Sequence, residues 1–270
     1  MKLELTKHHG LGNDFLVVFD PPVDDLAALA RRLCDRRRGV GSDGLLIATQ
    51  AAGYTARMTL HNADGSKAEM SGNGIRCFAQ AMAMRSESLA PQNILTDAGP
   101  RLVHLFATDN PDTIEASVDM GEVSTIDAPV GWDSIGCDPN RPVEHLGLGN
   151  PHTVVGVDDV AAVDLLALGL QVPGTNLEIV EPGPEPHGIT MRVHERGAGI
   201  TEACGTGACA SAWAARSWGL VPASAAEIVV HMDGGSAKVR IDEPSPGRVT
   251  LVGPSVLVGH VTVDITQAGS

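Results

Sequence analysis

The property that most constrains what this chain can fold into is that it repeats itself. Glu69-Met70-Ser71-Gly72-Asn73-Gly74 has a near twin 133 positions later, Glu202-Ala203-Cys204-Gly205-Thr206-Gly207. At the same offset Arg57-Met58-Thr59-Leu60-His61-Asn62 pairs with Thr190-Met191-Arg192-Val193-His194-Glu195, and Asp43 falls opposite Asn176. Near the start, Gly10-Leu11-Gly12-Asn13 recurs as Gly147-Leu148-Gly149-Asn150, and each copy is followed after three residues by Val-Val. Matches in one order across 270 residues predict two copies of an ancestral half, since that length accommodates two ordinary domains.

Each half reads alike: a Gly-Asn turn, a strand, a helix, further strands, then the Gly-x-Gly turn and a second helix. Asp24 is placed to cap the first helix, whose Leu26, Leu29 and Leu33 share a face. After the twin turns, Ile75, Phe78, Ala79 and Met82, and likewise Ala210, Trp213, Ala214 and Ser217, recur at the spacing of an amphipathic helix. Alternating segments predict strands at 45–49, 54–61, 101–106, 113–119, 177–180, 189–195, 226–232, 236–241 and 248–265. The pattern predicts an α+β fold of two pseudo-symmetric domains, each a curled sheet around a central helix. We expect residues 1–115 plus 255–270 to form one half and 116–254 the other, with the last strand returning to the first.

Charge and cysteine usage narrow the function. Nineteen basic against 33 acidic residues give a net charge of −14, which argues against nucleic acid or an anionic membrane as partner. The one basic cluster, Arg31-Arg32 with Arg36-Arg37-Arg38, reads as a solvated face or as packing between domains. No apolar run approaches the ~18 residues of a membrane span, and Met1 to Lys7 alternates like a charged strand rather than a signal peptide. Five cysteines (34, 77, 137, 204 and 209) without a disulfide framework or Cys-x-x-Cys spacing point to reduced thiols and a cytoplasmic protein.

A Gly-x-Gly turn opening a helix presents unpaired backbone N–H groups at the positive end of the helix dipole, a site for a carboxylate or phosphate. The dipole also favours the thiolate of a cysteine placed there. Two such turns across a domain interface would hold one carboxylate and set a proton-transfer group on each face of the adjacent carbon. Inversion of a stereocentre needs that arrangement and needs neither metal nor cofactor, because the held carboxylate stabilises the enolate-like species. Other readings fit less well. Gly205-x-Gly207-x-x-Ala210 imitates a dinucleotide fingerprint, but several residues separate it from the strand at 189–195. His8-His9, His194-Glu195 and Cys204/Cys209 lack metal-ligand spacing, and Ser71 lies outside a Gly-x-Ser-x-Gly elbow. Cys34, Cys77, Cys137 and Cys209 read as small buried apolar residues.

Asn62-Ala63-Asp64-Gly65-Ser66, Gly72-Asn73-Gly74-Ile75-Arg76-Cys77, Gly149-Asn150-Pro151-His152, Glu195-Arg196-Gly197-Ala198-Gly199 and Ala203-Cys204-Gly205-Thr206-Gly207 together resemble diaminopimelate epimerase. The likeness runs from His9-Gly10 to the final strand, while the wider proline racemase and phenazine-isomerase relatives share the duplicated fold but not this set of motifs. The resemblance implies interconversion of LL- and meso-2,6-diaminopimelate without pyridoxal phosphate, in lysine and peptidoglycan-precursor synthesis. It further implies a homodimer, with the active site in the inter-domain cleft. By position, Cys204 would be one of two acid/base thiols, and His152 and Glu195 would flank the reacting centre. Backbone N–H groups at Gly72-Asn73 and Gly205-Thr206 would hold the α-carboxylate; Asn13, Asn62, Asn150, Asn176 and Arg196 would contact the substrate, mostly its distal head.

Two positions depart from the family pattern. Gly44 stands where some members place a glutamine ligand, and Ser71 stands where the family has its other catalytic cysteine. Cys77 does not fill that gap, because the pattern has a cysteine there too. A serine hydroxyl is far less acidic than a thiol, so turnover is expected to be impaired. Ser71 reads as a Cys→Ser replacement. The alternatives are a related racemase or one-base dehydratase of the proline racemase superfamily, and an amino-acid-binding homologue that keeps the cleft without catalysis.

Overall fold

The two halves are built with the same order of elements. In the computed structural model, which describes residues 2–265, the chain divides into one unit of residues 2–116 with 254–265 and another of residues 117–253. Residues 1 and 266–270, which the sequence reading assigns to the first half, lie outside the described residues.

The first unit contains β1 (Lys2–Gly10), β2 (Asn13–Phe19), α1 (Leu26–Cys34), β3 (Gly44–Thr49), β4 (Ala56–Asn62), β5 (Lys67–Ala68), α2 (Gly72–Ser86), β6 (Gln92–Thr96), β7 (Gly99–Ala107) and the start of β8 (Thr113–Glu122). The second contains the rest of β8, β9 (Ser124–Thr125), β10 (Val143–Gly147), β11 (Pro151–Gly156), α3 (Leu165–Gly169), β12 (Asn176–Pro182), β13 (Gly188–Glu195), β14 (Gly199–Thr201), α4 (Gly205–Ser217), β15 (Ile228–Met232), β16 (Gly235–Ile241) and the start of β17 (Arg248–Asp264). In each unit an antiparallel hairpin, β1–β2 or β10–β11, is followed by a parallel pair, β2–β3 or β11–β12. A parallel pair needs a crossover, and α1 and α3 supply it. A second parallel pair, β4–β6 or β13–β15, spans a crossover that carries the Gly-x-Gly turn and then α2 or α4. The last strand does return to the first: β17 pairs antiparallel with β1 from Lys2↔Asp264 to His9↔Val256.

Each unit is layered, helix on sheet on helix. Leu45 and Ile47 of β3 pack with Leu29 and Leu33 of α1, and Leu177 and Ile179 of β12 pack with Leu165. The alternate residue of each strand turns the other way, toward α2 or α4. Those two helices differ from the amphipathic expectation. Gly72 to Ala81 and Gly205 to Ala212 are buried without a break, and solvent reaches α2 and α4 only in their last turns. The sheet wraps them, and the small side chains of α4 let the strands approach closely.

Two local expectations need correction. The cap of α1 is Asp25, whose carboxylate accepts from Ala28 N at 2.8 Å, and not Asp24. The counterpart of Asn176 is Gly44, not Asp43. Gly44 pairs with Phe15 and Asn62, whereas Asn176 pairs with His152, and Leu177 pairs with His194 as Leu45 does with His61. The offset between the halves is therefore 132 on this strand and 133 at the turns. A shift of one residue along a strand exchanges its faces.

Candidate active site

The two Gly-x-Gly turns are the same object built twice. Ser71 is the N-cap of α2 in extended backbone (φ −139°, ψ 124°), and its Oγ accepts from Gly74 N at 3.0 Å. Cys204 is the N-cap of α4 (φ −127°, ψ 114°), and its Sγ accepts from Gly207 N at 3.4 Å. The carbonyls of Ser71 and Cys204 accept from Ile75 N at 2.9 Å and Ala208 N at 2.8 Å. The N–H groups of Gly72, Asn73, Gly205 and Thr206 are too early in their helices to have an acceptor within them. Each unit thus presents donors and a positive dipole end beside one short side chain.

Around Ser71 the first unit gathers amides. Asn73 Nδ2 donates to Asn13 Oδ1 at 3.3 Å, and Asn13 Nδ2 donates to Asp43 Oδ2 at 2.7 Å. Arg36 bridges Asp43 and Asp14 at 2.8 and 2.6 Å, with Lys7 on Asp14 at 2.9 Å. Burial works to raise the Asp14 carboxyl, but Arg36 and Lys7 outweigh it and hold the group below its ordinary range. Arg36 of the basic cluster is therefore a clamp within its own unit as well as an exposed residue, and the five arginines of the cluster lie on the surface as a solvated face would. Asn62 lies at the end of β4 with its Nδ2 on Ser66 Oγ at 2.9 Å. The fully buried Arg76 donates to Gly72 O at 3.0 Å, Asn73 Oδ1 at 2.8 Å and Pro254 O at 3.1 Å, tying the start of α2 to β17. A Cβ at Gly44 would meet His61 O at 3.0 Å, Leu60 at 3.1 Å and Phe15 at 3.2 Å, so this position offers no side chain to a ligand.

Around Cys204 the second unit gathers groups that carry protons. Cys204 Sγ lies 3.5 Å from Thr206 Oγ1, and Asn150 Nδ2 donates to that hydroxyl at 3.3 Å. Asn150 Oδ1 is 2.9 Å from His152 Nε2, and His152 Nδ1 is 2.7 Å from Glu178 Oε1. Glu195 Oε1 accepts from Thr201 Oγ1 at 2.5 Å, and its carboxyl is also hydrogen-bonded by Cys204. Asn176 accepts from Arg196 N at 2.8 Å and donates to Pro151 O at 3.1 Å, so its amide is already used in holding the turn that displays the exposed Arg196.

The thiol differs from expectation. Burial, followed by the charges of Glu195 and Glu178, pushes Cys204 well above the ordinary thiol range, against the opposing hydrogen bonds from Thr206 and Gly207. The helix dipole does not win here; Cys204 rests as a thiol. Burial likewise raises the Glu195 carboxyl. Cys34, Cys77 and Cys209 are buried and Cys137 half-buried; none of the five cysteines is in a disulfide. Among the described residues no group of three or more His, Cys, Asp or Glu side chains is placed to hold a metal, and no helix is long and apolar enough to cross a membrane.

Sequence reasoning found both turns but missed Glu178, Arg36 and Arg76. The available signal for Glu178 was an acidic residue inside the apolar run Leu177-Glu178-Ile179-Val180, since carboxylates are almost never fully buried unless paired.

Residues 5–126 and 145–258 match the family model for diaminopimelate epimerase. Curated relatives named diaminopimelate epimerase include that of Halothermothrix orenii, 36% identical over 97% of this chain and 99% of the relative. That of Rhodococcus opacus is 38% identical over 97% of each. Among solved structures, a predicted epimerase of Pseudomonas aeruginosa superposes with a TM-score of 0.77 at 13% identity, covering 98% of this chain and all of that one. A hydroxyproline epimerase of Agrobacterium vitis gives 0.74 at 15% identity, covering 99% and 94%. At such identities the solved structures speak to the fold, two pseudo-symmetric α+β domains.

Proposed function

The chain belongs to the diaminopimelate epimerase family, and from that premise we propose that it carries a site for LL- and meso-2,6-diaminopimelate in which Ser71 replaces one of two proton-transfer groups. The observation that carries this reading is the identity of the two helix starts: Ser71 and Cys204 cap α2 and α4 in the same backbone conformation with the same hydrogen bond. The reading requires both turns to serve one substrate. Gly72, Asn73, Gly205 and Thr206 then donate backbone N–H groups to the reacting carboxylate. Asn13, Asn62, Asn150 and Arg196 take the distal amino-acid head, and Asn176 contributes through the Arg196 turn that it holds. His152 and Glu195 flank the reacting carbon.

The chemistry is a proton exchange at Cα. A base removes the Cα proton, the electron pair spreads into the carboxylate held by the N–H groups, and an acid on the other face returns a proton. Cys204, resting as a thiol, suits the acid role in inversion, and its small thiolate fraction is the base for exchange at the α-hydrogen that faces it. Ser71 cannot take the base role at neutral pH, and loss of one general acid/base costs about 10²–10⁴-fold. The family places this step in lysine biosynthesis. The same reading carries the two units as the two epimerase halves, a homodimer and a cytoplasmic location, the last supported by five free thiols.

Ser71→Cys tests the reading directly. Epimerisation of LL-diaminopimelate is expected to rise by about 10² or more over this chain; no gain in a folded Ser71→Cys protein would sink the assignment. Titration calorimetry of that protein separates the remaining possibility, since diaminopimelate binding without α-hydrogen exchange identifies a binding protein.

A further inference from the structure

Glu178 is a carboxylate that faces a central helix from the middle of a buried strand. It sits on β12 between Leu177 and Ile179, which turn the other way to pack against Leu165. Glu178 and His152 are both fully buried, with Oε1 on the imidazole Nδ1 at 2.7 Å. Its other oxygen, Oε2, has no hydrogen-bond partner among the described residues. A buried polar atom left unpaired costs about 1–3 kcal/mol. The carboxylate also restricts the helix beneath it: a Cβ on Gly207 would lie 2.7 Å from Oε1.

The fold itself does not need this pair. The register of the first unit places Phe15 where His152 stands and Leu46 where Glu178 stands, with Leu46 Cδ2 3.4 Å from the Cβ position of Gly74. The same strands and the same helix start form there around hydrocarbon. Replacing a buried ionic pair by packed apolar residues is often neutral or stabilising, so a structural role explains little of Glu178.

We propose that Glu178 is a positioning residue, fixing the His152 ring and its Nδ1 proton so that Nε2 is the nitrogen presented beside the Gly205-Thr206 turn. This rests on the site assignment above and deepens it. An ionised carboxylate only accepts hydrogen bonds, so the proton between the two groups sits on Nδ1. Nε2 then lies 2.9 Å from Asn150 Oδ1, and because that oxygen can only accept, Nε2 donates its own N–H to it, while Asn150 Nδ2 donates to Thr206 at 3.3 Å. A histidine whose ring is oriented by a buried carboxylate holds its outer N–H ready for proton transfer.

The test uses Glu178→Gln and Glu178→Leu, each in the full chain with and without Ser71→Cys. In the Ser71→Cys background kcat for diaminopimelate epimerisation is expected to fall about 10²-fold, with KM changed less than about threefold. Without any substrate, the ring-nitrogen NMR signals of His152 in Glu178→Gln are expected to lose the downfield-shifted Nδ1–H of a carboxylate partner. Unchanged His152 signals, or a kcat within about twofold of the parent, would overturn the inference. An inactive Ser71→Cys parent would instead overturn the site assignment, and the NMR comparison would still decide the role of Glu178. Glu178→Leu leaves His152 Nδ1 buried without its partner and is expected to melt below the parent temperature; should it fail to fold, the isosteric Gln variant carries the measurement alone.

Discussion

At Ser71 and Cys204 the chain makes one helix start twice, and the two copies diverge in the cap residue itself and in what surrounds it. The first copy is lined by Phe15 and Leu46 and approached by the amides of Asn13 and Asn73. The second is lined by His152 and Glu178, with Glu195 on the cap itself. The backbone donors at Gly72-Asn73 and Gly205-Thr206 are alike, so on the proposed reading anion binding belongs to the duplicated fold. Proton handling, on that reading, belongs to side chains and is concentrated in one half. A second pair makes the same point. His8 on β1 faces Phe15, while Leu146 on β10 faces His152, so each half keeps one buried histidine at this cross-strand position but on opposite strands. His8 is satisfied by Gln80 at 2.9 Å and Thr6 at 2.8 Å, neutral partners that give it a structural role.

Substitution at the two caps is the most severe way to break this comparison. In the present chain, Cys204→Ala is expected to reduce deuterium incorporation from solvent at the diaminopimelate α-carbon by about 10²–10⁴-fold, whereas Ser71→Ala leaves it within a few fold. Equal losses would show that the halves are not divided in this way. That exchange is also expected to favour the stereoisomer whose α-hydrogen faces Cys204.

The raised thiol sets a pH dependence. Because burial and the two carboxylates keep Cys204 protonated, the thiolate fraction, and with it exchange, rises about tenfold per pH unit below the thiol pKa. A rate independent of pH between 7 and 9 (roughly the interval below an elevated thiol pKa) would contradict the assignment of Cys204 as the exchanging group.

The histidines offer a stability test. Burial lowers His8 from 6.5 to about 4, so the folded state binds fewer protons there than the unfolded chain. Its contribution is complete above pH 6.5 and declines as pH falls toward 4, by ~3 kcal/mol in all. Urea unfolding at pH 7 and at about pH 4.5 should show this loss and should show less of it in His8→Asn; identical pH slopes would remove the distinction.

The smallest expected effect compares the two glycines. Gly207→Ala places a methyl 2.7 Å from Glu178 Oε1, whereas at Gly74 the nearest atoms are Ser71 Cβ at 3.1 Å and Leu46 Cδ2 at 3.4 Å. We expect Gly207→Ala to destabilise by ~2–3 kcal/mol and Gly74→Ala by ~1 kcal/mol, read by denaturant melts. The reverse order would mean that Glu178 yields more easily than its burial suggests.

Much of this molecule was legible as sequence because it rests on local chemistry. The duplicated motifs, the helix starts at Gly72 and Gly205 and the mismatch of Ser71 with Cys204 are all carried by residues adjacent in the chain. A Gly-x-Gly turn with a short polar cap specifies its own backbone wherever it lies. Asp25 in place of Asp24 as the cap of α1 is the ordinary one-residue uncertainty at a helix end.

What remained hidden depends on which strand lies beside which. The one-residue slip that matches Asn176 to Gly44, and so Glu178 to Leu46, is invisible until β2 pairs with β3 and β11 with β12. The burial of Arg76 against the Pro254 carbonyl joins residues 178 positions apart. The protonation of Cys204 was misjudged for the same reason. The dipole of its own helix is written in the adjoining sequence, but the burial and the Glu195 and Glu178 charges that override it arrive on other strands. Sequence alone determined where donors and caps would form, because those are set by neighbours along the chain. Tertiary structure decided which of them carries a proton, because desolvation and charge act through space.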